Sequence, residues 1–111
     1  MEFSIKRDVL LKSLTLAQGV IEKKNTLPIL SNVLLSVKDG KLSIIVTDLD
    51  LVFYDEISEI QIKTEGATTT SVTILYDILR KISGNSEIKF ELKSENKVNL
   101  ITDNSDFNLL C

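Results

Sequence analysis

Residues 28–47 read Pro28-Ile-Leu-Ser-Asn-Val-Leu-Leu-Ser-Val-Lys-Asp39-Gly40-Lys-Leu-Ser-Ile-Ile-Val-Thr47. Two β-branched, apolar runs flank Asp39-Gly40, the dipeptide that best supplies the positive φ angles of a two-residue hairpin turn. Pro28 sits where a strand can begin without needing its N–H. Leu42, Ile44 and Val46 fall on one face of the returning strand. The stretch therefore predicts an antiparallel hairpin over Ile29 to Val37 and Lys41 to Thr47.

Working toward the N-terminus, Lys23-Lys24-Asn25-Thr26 reads as a polar connector. Before it, Val9, Leu10, Leu14, Ala17 and Ile21 recur at helical spacing through about residue 20. Asp8 is placed to cap that helix, and Gly19 to loosen or end it. Phe3 and Ile5 alternate with Ser4 and Lys6, as in a short half-buried strand. Working the other way, Asp48-Leu49-Asp50 marks a turn, and Leu51 to Ile62 forms a long, breakable strand. Gly66 opens a second half. Ala67 to Ser71 reads as a strand, and Ser71 caps a helix with Leu75, Ile78, Leu79 and Ile82 at i, i+3, i+4 and i+7. Gly84-Asn85 stops it. Ile88, Phe90 and Leu92 alternate with charged residues, Ser94-Glu95-Asn96 turns, Val98 to Thr102 returns, and Phe107, Leu109 and Cys111 begin a last strand.

The halves share an order: strand, helix, then three strands. Lys41 and Lys97 both follow a turn, 56 residues apart, and Thr47 and Thr102 end the next strand, 55 apart. The expected fold is α+β: a pseudo-two-fold β-α-β-β-β repeat with two helices packed on antiparallel sheets. Recurrent β-meanders offer the competing explanation, chance likeness.

The 111 residues fit one domain, 1–111. No apolar run is long enough to span a membrane, no secretory leader pattern opens the chain, and one cysteine allows no intrachain disulfide. A cytoplasmic location is expected. With no histidine and one cysteine, triads, Cys-His pairs and a structural zinc site are excluded within this chain. Asp48 and Asp50, with Asp55 and Glu56 nearby, offer oxygen ligands for Mg²⁺ or Ca²⁺, and a carboxylate-metal enzyme using Asp48, Asp50 and Asp55 is one alternative. Aspartates at turns bond their own backbone, which is the plainer reading.

The net charge of −3 hides a split. Segment 6–24 holds Lys6, Arg7, Lys12, Lys23 and Lys24 against Asp8 and Glu22, a net +3, and segment 71–84 holds Arg80 and Lys81 against Asp77, a net +1. The rest of the chain then carries −7. Helices that share one face would attract phosphate weakly and without reading sequence. Charge alone favours an ordinary solvated face.

Thr26-Leu27-Pro28-Ile29-Leu30-Ser31-Asn32 resembles the TLPIL-x-N signature of the bacterial sliding clamp, the beta subunit of DNA polymerase III. Phe3-Ser4-Ile5-Lys6-Arg7, Asp39-Gly40-Lys41-Leu42-Ser43, Thr47-Asp48-Leu49-Asp50 and Gly66-Ala67-Thr68-Thr69 extend the resemblance along the chain. It implies a DNA-clamp domain, the first of three similar domains of a longer subunit, so that the chain would be a fragment. It implies a ring homodimer around double-stranded DNA, with helices lining the hole, opened by a clamp loader and tethering DNA polymerase III. Neither a catalytic site nor a cofactor is expected, and no membrane partner.

Carried over by position, Lys24 and Arg80 match basic residues that face DNA. Lys12, Lys23 and Lys81 join them from charge. Phe107 matches an aromatic residue at the subunit interface, where Ile78, Ile82 and Leu109 would join it. Three departures weaken the charged contacts: Glu2 where lysine is common, no arginine in 102–106, and Thr73-Ile74 where a basic residue is frequent. A free-standing interaction module, binding through a sheet edge or the Phe107 patch, is the remaining alternative.

Overall fold

The computed structural model describes residues 1–24, 32–47, 52–94, 97–103 and 105–110, with the backbone alone over 20–24. In chain order the elements are β1 (Glu2–Lys6), α1 (Arg7–Lys24), β2 (Asn32–Lys38), β3 (Lys41–Thr47), β4 (Val52–Ile57), β5 (Ile60–Thr64), β6 (Gly66–Ser71), α2 (Val72–Lys81), β7 (Glu87–Ser94), β8 (Lys97–Ile101) and β9 (Asp106–Leu110).

The Asp39-Gly40 hairpin forms as its dipeptide requires. Asp39 and Gly40 take φ of 54° and 77°, the pair of positive angles that matches the right-handed twist of the strands. Val33, Leu35 and Val37 of β2 and Leu42, Ile44 and Val46 of β3 are all buried, so one face of the hairpin carries the apolar set.

The hairpin lies in a four-stranded sheet of order β4-β3-β2-β6, beside a five-stranded sheet of order β5-β1-β7-β8-β9. All ladders are antiparallel. The halves are β1-α1-β2-β3-β4 and β6-α2-β7-β8-β9, and they exchange their opening strands. β1 pairs with β7 and β6 with β2, so that Phe3 faces Phe90 as Thr68 faces Leu35. Leu35 and Phe90 are 55 positions apart, and Lys41 and Lys97, which face Lys38 and Ser94, are 56 apart. The additional residue is the irregularity between Leu92 and Ser94, a bulge.

Several boundaries differ from the sequence reading. The run from Leu51 to Ile62 takes the break that its reading left open. It breaks at Ser58-Glu59, and its two pieces join different sheets, β4 beside β3 and β5 beside β1. A chain passing between sheets cannot keep one ladder. α1 continues past Gly19 to Lys24, so Lys23 and Lys24 belong to a helix and not to a connector. A lone helical glycine costs only about 1 kcal/mol, which the packing of α1 offsets. Asp8 lies in the first turn of α1 rather than at its cap. α2 stops at Lys81, ahead of the expected stop at Gly84-Asn85, where Asn85 takes a φ of 65°. The turns expected at 48–50 and 94–96 lie wholly or partly outside the described residues.

The helices pack on each other and cover the core. Leu10, Leu14 and Ala17 of α1 and Leu75 and Leu79 of α2 are buried, with Ile82 just beyond. Phe3 and Phe90 stack at 4.8 Å between ring centroids, 5° from parallel. Ser71 caps α2 as its sequence suggests, its Oγ accepting from the Ile74 N–H at 3.3 Å. The sheets are tied at one side by Thr70, whose Oγ1 donates to the Leu110 carbonyl at 3.0 Å.

Two local features yield stability expectations. Ser13 of α1 is buried, and its Oγ has no hydrogen-bond partner among the described residues. Ser13→Ala should therefore stabilise the fold by about 1 kcal/mol in urea denaturation, through relief of desolvation and better helix propensity. Gly66 takes φ 158°, and a Cβ there would come within 2.8 Å of Met1 Cβ. Gly66→Ala should cost about 1–3 kcal/mol in the same measurement.

Candidate nucleic-acid interface

Helical periodicity sorts the side chains of the two helices. Inward positions are apolar, apart from the buried Ser13. The water-facing positions are Asp8, Lys12, Thr15 and Leu16 on α1, and Thr73, Ile74, Asp77, Arg80 and Lys81 on α2. Lys12, Arg80 and Lys81 thus stand on the solvent side of two helices in contact. Arg80 and Lys81 occupy the last turn of α2, where cations oppose the partial negative charge of the helix end. The Arg80 guanidinium lies over Tyr76, 5.6 Å from the ring centroid, close enough for a cation–π attraction. The backbone puts Lys23 and Lys24 in the last turn of α1; their side chains lie outside the described residues.

The observed element bounds refine the charge split. Arg7, Lys12, Lys23 and Lys24 against Asp8 and Glu22 leave α1 with +2, and Arg80 and Lys81 against Asp77 leave α2 with +1. With the whole chain at −3, everything outside the helices carries −6. The split is smaller than the segment count because Lys6 belongs to β1. Arg7 also turns inward: its side chain is 18% exposed and paired with Asp8 at 2.8 Å. The hydrogen bond from Arg7 holds the Asp8 carboxyl below its ordinary range; desolvation opposes it, and the Asn85 backbone N–H adds a smaller lowering.

The negative charge lies in the connecting segments, which carry −7, while the strands carry +1 and their charges pair locally. Glu56 accepts from the Tyr54 hydroxyl at 2.6 Å and meets Lys41 Nζ at 2.9 Å. Those two partners, Tyr54 first, hold its carboxyl below the usual value. On the other sheet Lys63 and Lys89 meet Glu2, and Lys93 meets Glu91. Exposed pairs of this kind contribute little stability.

The proposed subunit-contact set divides. Ile78 and Phe107 are half-buried against the core. Ile82 and Leu109 are 6% and 3% exposed, and their expected role as contact residues is corrected: both are spent on the core of this chain. Sequence reasoning passed over Ile74 and Leu110, exposed apolar residues on the same elements. Strand alternation carried the signal, since Leu109 pointing in requires Leu110 to point out. β9 is an edge strand, with β8 its one ladder partner among the described residues.

For the carboxylate alternative, Asp48 and Asp50 lie outside the described residues. Asp55 Oδ1 accepts from the Glu56 backbone N–H at 2.8 Å. Among the described residues no group of three or more carboxylates or cysteines could hold a metal ion, and no helix is long and apolar enough to cross a membrane.

Two strand-exchanged β-α-β-β-β halves, with paired helices covering two antiparallel sheets, define an α+β domain of the DNA-clamp type. Residues 1–111 match the family of the DNA polymerase III beta subunit, N-terminal domain, and the chain belongs to that family. It is 37% identical over 110 residues to the beta sliding clamp of Caulobacter vibrioides strain NA1000, covering 98% of this chain and 29% of that protein. Identity to the beta sliding clamp of Escherichia coli K12 is 38% over 95 residues, or 86% of this chain and 26% of that one. The solved DNA polymerase III subunit beta sliding clamp of Bartonella birtlesii LL-WM9 superposes with a TM-score of 0.85 at 34% identity, over 100% of this chain and 31% of its own. Caulobacter crescentus pol III beta gives 0.84 at 37% identity, over 99% and 29%. The chain thus spans less than a third of the length of these relatives.

Proposed function

We propose that this chain is one segment, the first of three similar domains, of a ring-shaped sliding clamp that encircles double-stranded DNA and makes the replicative polymerase processive. The observation that carries this reading is the charge separation on the fold: net positive paired helices against a net negative remainder. A surface of that kind attracts phosphates weakly and without sequence preference. Weak contact suits a ring, which is held by closure and must slide. Lys12, Arg80 and Lys81, with Lys23 and Lys24 from the end of α1, form the DNA-facing set. Ile78, Phe107 and the exposed edge at Leu110 form the contact with a second clamp subunit. The partners are duplex DNA, that second subunit, a clamp loader and DNA polymerase III subunits. The role is binding in the cytoplasm, with no catalysis or cofactor of its own.

Polymerase and loader on a primed circle test the reading. The full-length gene product should lengthen the extension products, and Lys24→Glu and Arg80→Glu variants that stay folded should impair loading. Product lengths unchanged by the wild-type protein contradict the reading.

A further inference from the structure

We infer that Arg7 is a positioning residue: it fixes the last turn of α2 and so directs Arg80 and Lys81 toward phosphate. The inference rests on the DNA-facing reading of the helices above.

Arg7 is the first residue of α1, yet its side chain serves the other helix. Its Nε donates to the Leu79 carbonyl at 2.8 Å, across 72 positions of sequence. Leu79 O is among the last four carbonyls of α2, which have no partner further along the helix. It also accepts from the Ile82 N–H at 3.3 Å. A guanidinium there both fills the acceptor and opposes the negative helix end. α2 has ten residues, a length at which an isolated helix is marginal, so its final turn depends on being held from outside. Arg80 and Lys81 follow Leu79 directly.

The hold is rigid because Arg7 is itself fixed. Its Nη1 donates to Asp8 Oδ1 at 2.8 Å, and its backbone N–H donates to the Ser86 carbonyl at 2.8 Å. One residue thereby joins the start of α1, the end of α2 and the loop into β7.

The test is equilibrium binding of the full-length gene product to random-sequence duplex DNA across a salt series. Arg7→Gln should weaken binding about threefold and shrink the salt slope by about 1, the loss of roughly one phosphate contact. Arg7→Lys, which keeps the charge but loses the fork, should behave the same way. In an Arg80→Ala/Lys81→Ala background, Arg7→Gln should change nothing further, because positioning has no object there. Amide exchange should quicken at residues 79–82 and stay unchanged in β1 and β7.

A further loss in that background would make Arg7 a direct phosphate contact and overturn the inference. Wild-type binding by Arg7→Lys or Arg7→Gln, or exchange quickened throughout the domain, would overturn it as well. If Arg80→Ala/Lys81→Ala by itself leaves the salt slope unchanged, the DNA-facing reading of α2 falls and the inference falls with it.

Discussion

Replacing Phe90 with alanine should remove about 3–5 kcal/mol of folding free energy. Phe90 is buried on β7, near the middle of the five-stranded sheet, with its ring stacked on Phe3 at 4.8 Å. β7 is also one of the two strands that receive a strand of the other half, since β1 of the first half pairs with it. The loss therefore strikes packing within the core and a joint between halves together. Domains of this size are stable by only about 5–15 kcal/mol, so the variant should sit near the edge of folding. Urea denaturation should show the midpoint falling steeply. A loss below about 1 kcal/mol would mean that the ring pair is not central to the core.

The second large effect concerns binding. Lys12→Glu, Arg80→Glu and Lys81→Glu together should shrink the salt slope of DNA binding by about 3, at about 0.9 per phosphate contact. Affinity at low salt should fall on the order of 100-fold, as three contacts become repulsions. All three side chains are exposed, so the fold should survive. The main stability cost is at Arg80 and Lys81, where acid at a helix C-terminus opposes the dipole by about 0.3–1 kcal/mol each. Reversing three exposed lysines on the sheet side, Lys38, Lys63 and Lys97, is the matched control and should change binding far less. Equal losses from both triples would mean that net charge, not a helical face, attracts DNA.

What the sequence disclosed was local. Asp39-Gly40, the alternation of Leu42, Ile44 and Val46, the Ser71 cap and the spacing of Leu75 and Leu79 each act within a few residues, and each is found in place. What stayed hidden depends on distant partners. Nothing between Leu51 and Ile62 announces that its two ends join different sheets, because the neighbours, β3 and β1, lie elsewhere in the chain. Gly19 reads as a place where the helix loosens or ends because glycine weakens a helix locally, whereas α1 runs on to Lys24. The site follows the same rule. Lys12, Arg80 and Lys81 are exposed where helical period puts them. Arg7 looked like another surface cation because its acceptor, Leu79, is 72 residues away. Ile82 and Leu109 looked available for a partner because an apolar residue at an element end does not reveal whether its own core claims it.

Topological linkage to DNA is tested most directly by loading the full-length gene product onto a nicked circle with its loader, then cutting the circle and measuring the protein retained. The expected result is retention on the intact circle and loss after linearisation, as the ring slides off the ends. Equal retention on circular and linear DNA would contradict encirclement and leave only electrostatic binding on a clamp-type fold.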